Sequence, residues 1–161
     1  MSYQDNDGLL RKYGTERATA KTAGAYHTYG HLHEVEVKID LTTLTATETI
    51  LDDTVMIPKN ARIQDVQVVT HTAAATGTAI DLGLIAADRS TETDYNGFLA
   101  ALPTASMNAA GEKNDVAIGH TYVGALIGTT LSNPAYISAS RTDATAFTAG
   151  IIYVTIRYYV A

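Results

Sequence analysis

The chain has no cysteine among its 161 residues, which excludes both disulfide staples and thiolate metal sites. It has no tryptophan, two phenylalanines and three prolines, and charged residues make up 17%, against about 25% in an average domain. Lys, Glu and Gln are scarce, whereas Thr, Ala and Gly are abundant. That balance opposes helices and favours strands joined by small-residue loops. Three prolines and twelve glycines are too few for a collagen-like or disordered chain. No apolar run approaches the ~18 residues needed to span a bilayer, and MSYQDNDGLLRKYG lacks the apolar core of a signal peptide. The expectation is a protein made in the cytoplasm, not exported, with no membrane partner. A chain of this length suits one domain that buries about 70% of the surface exposed when unfolded.

The net charge of −6 is unevenly spread. Residues 1–30 hold Arg11, Lys12, Arg17 and Lys21 against Asp5, Asp7 and Glu16, a net +1, so the remainder carries −7. An acidic body opposes duplex nucleic acid as a partner, because phosphate contacts need clustered cations. Residues 1–30 show neither a helical nor a strand period and are punctuated by Gly8, Gly14, Gly24 and Gly30. They read as an extended N-terminal arm preceding a β body over 31–161. The arm's large apolar groups are Leu9, Leu10 and four tyrosines, Tyr3, Tyr13, Tyr26 and Tyr29. Tyrosine has an apolar body and a polar tip, which suits an interface better than a solvated tail. Leu9, Leu10, Tyr13, Tyr26 and Tyr29 are therefore the candidate partner contacts. So few large side chains do not offset the backbone entropy of ordering thirty residues on their own domain. The arm is expected to order only against neighbours.

The body opens with HLHEVEVKIDL, where Val35, Val37, Ile39 and Leu41 share one face and Glu34, Glu36, Lys38 and Asp40 the other. That is the pattern of a half-buried strand. The stretch from Val55 to Arg89 reads as two strands joined by a hairpin: Ile63, Val66, Val68 and Val69 precede the loop HTAAATGT, and Ile80, Leu82 and Leu84 alternate after it. Pro58-Lys59-Asn60 supplies a turn before the first of them. A short strand is expected around Thr49–Leu51, Val55–Ile57 lead into the paired strands, and Phe98–Leu102 read as a short strand or a helical turn. STETDYNG and PTASMNAAGEKND read as loops. Val116, Ile118, His120 and Tyr122 alternate as a further strand, Ala135–Ser140 makes another, and GIIYVTIRYYVA ends the chain. In that last run Ile152, Val154, Ile156, Tyr158 and Val160 share a parity, whereas Tyr153 and Tyr159 fall on the opposite one. Tyr153 and Tyr159 are the candidate oligomer contacts. About eight strands without a crossover helix mean an all-β, antiparallel sandwich or barrel.

No constellation points to catalysis. His27, His31 and His33 are close enough in sequence to suggest a metal, but the first lies in the arm, and surface histidines are the better reading. Glu92, Asp94, Asn96 and Gly97 resemble the first half of a calcium loop, yet Pro103 stands where a bidentate Glu is needed. ETDYNG reads instead as a turn, with Asn-Gly supplying positive φ. Ser106, Ser132 and Ser138 sit in no nucleophile elbow, Gly119 and Gly124 form no phosphate loop, and His120 reads as a hydrogen-bonded core or interface histidine. No catalytic residue, metal ligand or cofactor is expected.

The order of parts resembles the capsid decoration (cement) proteins of tailed bacteriophages. The matching features are the polar arm, the strand ending VMIPKNARIQDVQVV, a Gly-bearing hairpin, the strand AIDLGLIAADR, and an acidic loop closing in DYNGFLAAL. The resemblance implies a jelly-roll or related β-sandwich on the exterior of a virion, bridging neighbouring major capsid subunits without any reactive side chain. It implies the major capsid protein as partner for the arm contacts, and a homo-oligomer in which a trimer is favoured over a dimer, because lattice threefold positions suit it. The alternative is a carbohydrate- or receptor-binding β-sandwich of a virion fibre. Sugar sites favour aromatic platforms, and with no tryptophan only the strand tyrosines could serve.

Overall fold

The computed structural model describes residues 2–4, 10–12, 32–87 and 92–160. These form eleven strands: β1 (Ser2–Gln4), β2 (Leu10–Lys12), β3 (Leu32–Asp40), β4 (Thr49–Ile50), β5 (Met56–Ile57), β6 (Ala61–Thr76), β7 (Ala79–Ala86), β8 (Glu92–Pro103), β9 (Lys113–Val116), β10 (Ala135–Arg141) and β11 (Phe147–Val160). Two 3-10 turns, Leu41–Thr43 and Thr104–Ser106, are the helical elements among the described residues. Nine strands, β3 to β11, make the body. Inside the expected arm, β1 and β2 pair antiparallel with each other, Ser2 opposite Lys12 and Gln4 opposite Leu10, so the arm contains a short hairpin that its sequence period did not reveal.

The body is a jelly-roll-like antiparallel β-sandwich. One sheet runs β3-β11-β6-β9, and the other runs β4-β10-β7-β8 with β5 also paired to β10. β11 sits inside the first sheet, in register with β3 from Ile151–Asp40 to Tyr159–Leu32 and with β6 on its other side. Its inward row, Ile152, Val154 and Ile156, is fully buried and Tyr158 nearly so. β7 and β10 answer from the second sheet with Ile80, Leu82, Leu84 and Ile137. Each fully buried side chain of this size contributes about 1.5–3 kcal/mol, so this interior supplies most of the driving force. In β6 the inward residues Ile63 and Val66 differ in parity. A bulge reconciles them: Arg157 faces Asp65 and Tyr158 faces Ile63, leaving Gln64 without a partner on β11.

The expected hairpin between β6 and β7 is not one. β6 pairs with β11 and β9, and β7 pairs with β10 and β8, so the link Gly77–Thr78 carries the chain from one sheet to the other. Both Thr76 and Gly77 have positive φ, 57° and 68°. A Cβ on Gly77 would stand 2.6 Å from Cδ1 of Phe147, the ring that closes this end of the core. The segment read as the loop STETDYNG is also largely strand, since β8 runs through Asp94–Gly97 with irregular pairing to β7. Neither Asn96 nor Gly97 has a positive φ. The expected strand Val116–Val123 instead ends at Val116 and begins earlier, at Lys113. After it Gly119 takes φ 91°, the His120 amide turns back to the Ala117 carbonyl at 3.0 Å, and Ile118 is 76% exposed. Leu41, expected at the end of the first strand, opens a 3-10 turn but is completely buried.

Gly83 marks the tightest approach within the second sheet. A Cβ there would lie 2.0 Å from the carbonyl oxygen of Asp94 and 2.3 Å from the carbonyl carbon of Tyr95. Because backbone and not a flexible side chain is in the way, Gly83→Ala is expected to cost about 2–3 kcal/mol. Denaturant unfolding measures this, and a loss under about 0.5 kcal/mol would contradict the close approach.

Candidate assembly surface

The outward face of the β3-β11-β6-β9 sheet is a set of polar rungs. Arg157, near the centre, donates from Nε to Glu34 of β3 at 2.9 Å and from Nη1 to Asp65 of β6 at 3.0 Å. The Glu34 hydrogen bond, with the Asp65 and Glu34 charges, raises the guanidinium pKa further. One rung along, Gln67 donates to Asp115 at 2.7 Å, and Lys113 approaches the same carboxylate at 3.2 Å. Such partly exposed ion pairs contribute little stability, about 0–1 kcal/mol each. Their effect is to keep this face ordered and polar between two aromatic positions.

Those positions are Tyr153 and Tyr159. Both lie on the outward face and are half-buried, in rungs separated by the Arg157 and Thr155 rungs. Tyr153 stands between Lys38 and Val69, its ring edge-on to His71 with centroids 5.8 Å apart. Tyr159 stands between Leu32, which is 48% exposed, and Arg62. The fold therefore offers two separate aromatic footholds and not one continuous patch. Of the arm residues, Leu9, Tyr13, Tyr26 and Tyr29 lie outside the described residues, and Leu10 is described only as backbone of β2.

The histidines disperse. His33 stacks on Tyr158 with centroids 5.4 Å apart, while His27 and His31 lie outside the described residues. His120, half-buried in its turn, accepts the Tyr122 amide on Nδ1 at 3.2 Å. In the segment compared with a calcium loop, the Asp94 carboxylate accepts the Asn96 amide at 3.3 Å.

The sheet edges differ sharply. β8 is covered by a following segment: the Ala100 amide donates to the Tyr122 carbonyl, Gly124 to Phe98 and Leu126 to Gly97. Beyond short β9, residues 128–131 continue along β6, with Ile63 donating to Thr129 and Leu131 to Ala61. β4 and β5, on the far side of β10, have two residues each. The nine-residue β3 pairs only with β11, and among the described residues no backbone hydrogen bond leaves its other side. No signal in the sequence distinguished this edge from a central strand.

On the second sheet, Asp81 accepts the amide of Ala101 at 2.7 Å, holding that residue at φ 53°. Beside it lies a shallow groove lined by Glu48, Asp52, Asp53, Ile50 and Ile85. Burial raises the Asp81 pKa, the Ala101 amide opposes this, and Glu48 adds to the rise.

With this geometry in hand, likenesses to known proteins can be placed. No protein-family model matches the chain, and no curated protein matches it. Solved structures do. A chain of the Cyanophage Pam1 capsid asymmetric unit is similar at 18% identity and TM-score 0.54, covering 89% of this chain and 96% of that one. A chain of the Ralstonia phage GP4 capsid is similar at 14% identity and TM-score 0.54, covering 82% and 85%. A chain of the acidic stable capsid of Helicobacter pylori bacteriophage KHP30 is similar at 13% identity and TM-score 0.53, covering 80% and 87%. These likenesses are of fold, and they extend over 80–89% of this chain and 85–96% of the others.

Asp81 generates a pH dependence. Its folded pKa lies above the unfolded value near 3.8, so just above that pH the folded state holds more protons than the unfolded one. Its contribution to stability therefore falls as pH rises from the ordinary carboxylate value through the raised one. Asp81→Asn keeps an acceptor for Ala101 and removes the titration. The stability difference between wild type and Asp81→Asn, followed by urea unfolding across that window, is expected to move against wild type as pH rises. A difference that stays flat contradicts the assignment.

Proposed function

We propose that this chain is a structural virion protein that binds the outer capsid surface and cements neighbouring major capsid subunits, acting as a homo-oligomer and preferentially a trimer. The observation that carries this reading is the likeness of fold, over 80–89% of this chain, to chains of three phage capsids, each matched over 85–96% of its own length. A lattice subunit of this size works through area and complementarity; the described surface offers the Arg157 rungs and the Tyr153 and Tyr159 footholds, and the sequence adds an arm of net charge +1 to an acidic body. Leu9, Leu10, Tyr13, Tyr26 and Tyr29 are assigned to the capsid contact, and Tyr153 and Tyr159 to contact between copies. Lattice threefold positions favour three copies over two.

Two measurements test this. Deleting residues 2–30 is expected to leave a β-type circular dichroism spectrum and cooperative unfolding, while weakening co-sedimentation with expanded capsids at least tenfold, about 1.4 kcal/mol. Loss of folding would place the arm in the core, and unchanged attachment would reduce it to a tail. For the contact between copies, light scattering at tens of micromolar is expected to give an oligomeric mass for the full chain and a smaller one for the Tyr153→Ser, Tyr159→Ser double variant. A strictly monomeric wild type rules the contact out.

A further inference from the structure

A sheet edge nine residues long with its outward hydrogen-bonding groups unmatched is a template for another strand. On β3 the described neighbours leave that template open, whereas they cover or shorten the other edges. Natural edges of this length are usually blunted by proline, a bulge, charged side chains or a covering segment; β3 has neither proline nor bulge, and its charges, Lys38 among three acids, turn away an edge of like charge while leaving it open to a basic one. Its two faces define what fits. Outward it presents Glu34, Glu36, Lys38 and Asp40, a net charge of −2, and inward Val35 and Val37, which stay half-exposed at the rim of the core. A second β3 would bring like charge against like. The occupant that suits the edge is an extended, basic segment with small side chains on its inner face.

The chain itself contains one. In RATAKTA, residues 17–23, Arg17, Thr19, Lys21 and Ala23 alternate with Ala18, Ala20 and Thr22. Laid antiparallel on β3, one register sets Arg17 opposite Asp40 and Lys21 opposite Glu36, with Ala18 and Ala20 against Ile39 and Val37. Shifting by two residues either way sets Arg17 or Lys21 against Lys38. Direct opposite-charge pairs of this kind stabilise a ladder and like pairs destabilise it, so charge selects the register. If the same chain supplied the strand, residues 24–33 would form a ten-residue connection, longer than the two to five residues hairpins ordinarily use. A neighbouring copy meets no such limit. We propose that the β3 edge of each copy is completed by residues 17–23 of a neighbouring copy, a head-to-tail exchange that closes into a ring. This rests on the reading of the chain as a self-associating shell protein and specifies the contact that joins its copies.

The test uses the full chain free in solution. Glu36, which makes no ion pair among the described residues, is changed to Lys in one variant, and Lys21 to Glu in another. Each alone is expected to weaken self-association at least tenfold by light scattering. Combining both changes in one chain is expected to recover it, and mixing the two variants is expected to recover it in part, because an alternating ring of three matches two of its three contacts. Hydrogen exchange is expected to slow at the outward amides of β3 as wild-type protein is concentrated. Self-association that ignores both swaps overturns the exchange while leaving the shell reading intact. Recovery in the double variant with none at all in the mixture, and protection that persists on dilution, overturns it in favour of the chain's own arm. Copies that exchange arms as described but fail to co-sediment with capsids would overturn the shell reading and leave the exchange standing.

Discussion

The fold depends on covering the inner row of β11. Ile152, Val154 and Ile156 have no exposed surface, and each lies in register with an apolar residue of β3 on one side. A slip of one residue would turn the whole row to water and bring Tyr153, Thr155 and Arg157 inside. The second sheet exists to cap that row, and the less regular features follow from fitting it. The bulge at Gln64 lets both Ile63 and Val66 face inward, the Gly77 crossing moves the chain between sheets without a long loop, and Gly83 admits the backbone of β8 where a side chain would block it.

The same constraint sets what faces outward. With the β11 inner row fixed, Arg157 must point away from the core. There it meets Glu34 and Asp65, residues 123 and 92 positions away in sequence. The outer face is therefore polar by consequence of the interior, and the tyrosines at its two ends are footholds in a charged field.

The strands at the two ends of the body were legible because each has one wet and one dry face. The alternation in HLHEVEVKID and IIYVTIRYYV reports that directly, and it also fixes the outward placement of Tyr153 and Tyr159. The pairing of β6 and β7 was not legible, because two apolar runs joined by a glycine look alike whether they pair with each other or part into separate sheets; the deciding contact, Phe147 beneath Gly77, is seventy residues away. Local turn chemistry misled at Asp94–Gly97, where pairing with β7 and the packing of Leu126 on Gly97 prevail over the preference of Asn-Gly for a turn. The alternation in 116–122 misled for the opposite reason: Gly119 and the Ala117–His120 turn end the strand before Ile118 can pair. That no described strand lies beyond β3 was invisible, since alternation records which face is dry and not which side has a neighbour.

Among the described residues the body is a sandwich with a polar sheet face and a β3 edge that no described strand covers. The proposed role stands or falls on attachment to the outside of a capsid. Cryo-electron microscopy of expanded capsids incubated with the protein tests that most directly. The account predicts added density on the outer shell surface, at symmetry-related sites, into which the nine-stranded body fits with its arm against neighbouring subunits. A shell that stays bare at saturating protein, or density confined to a tail or fibre, would contradict it.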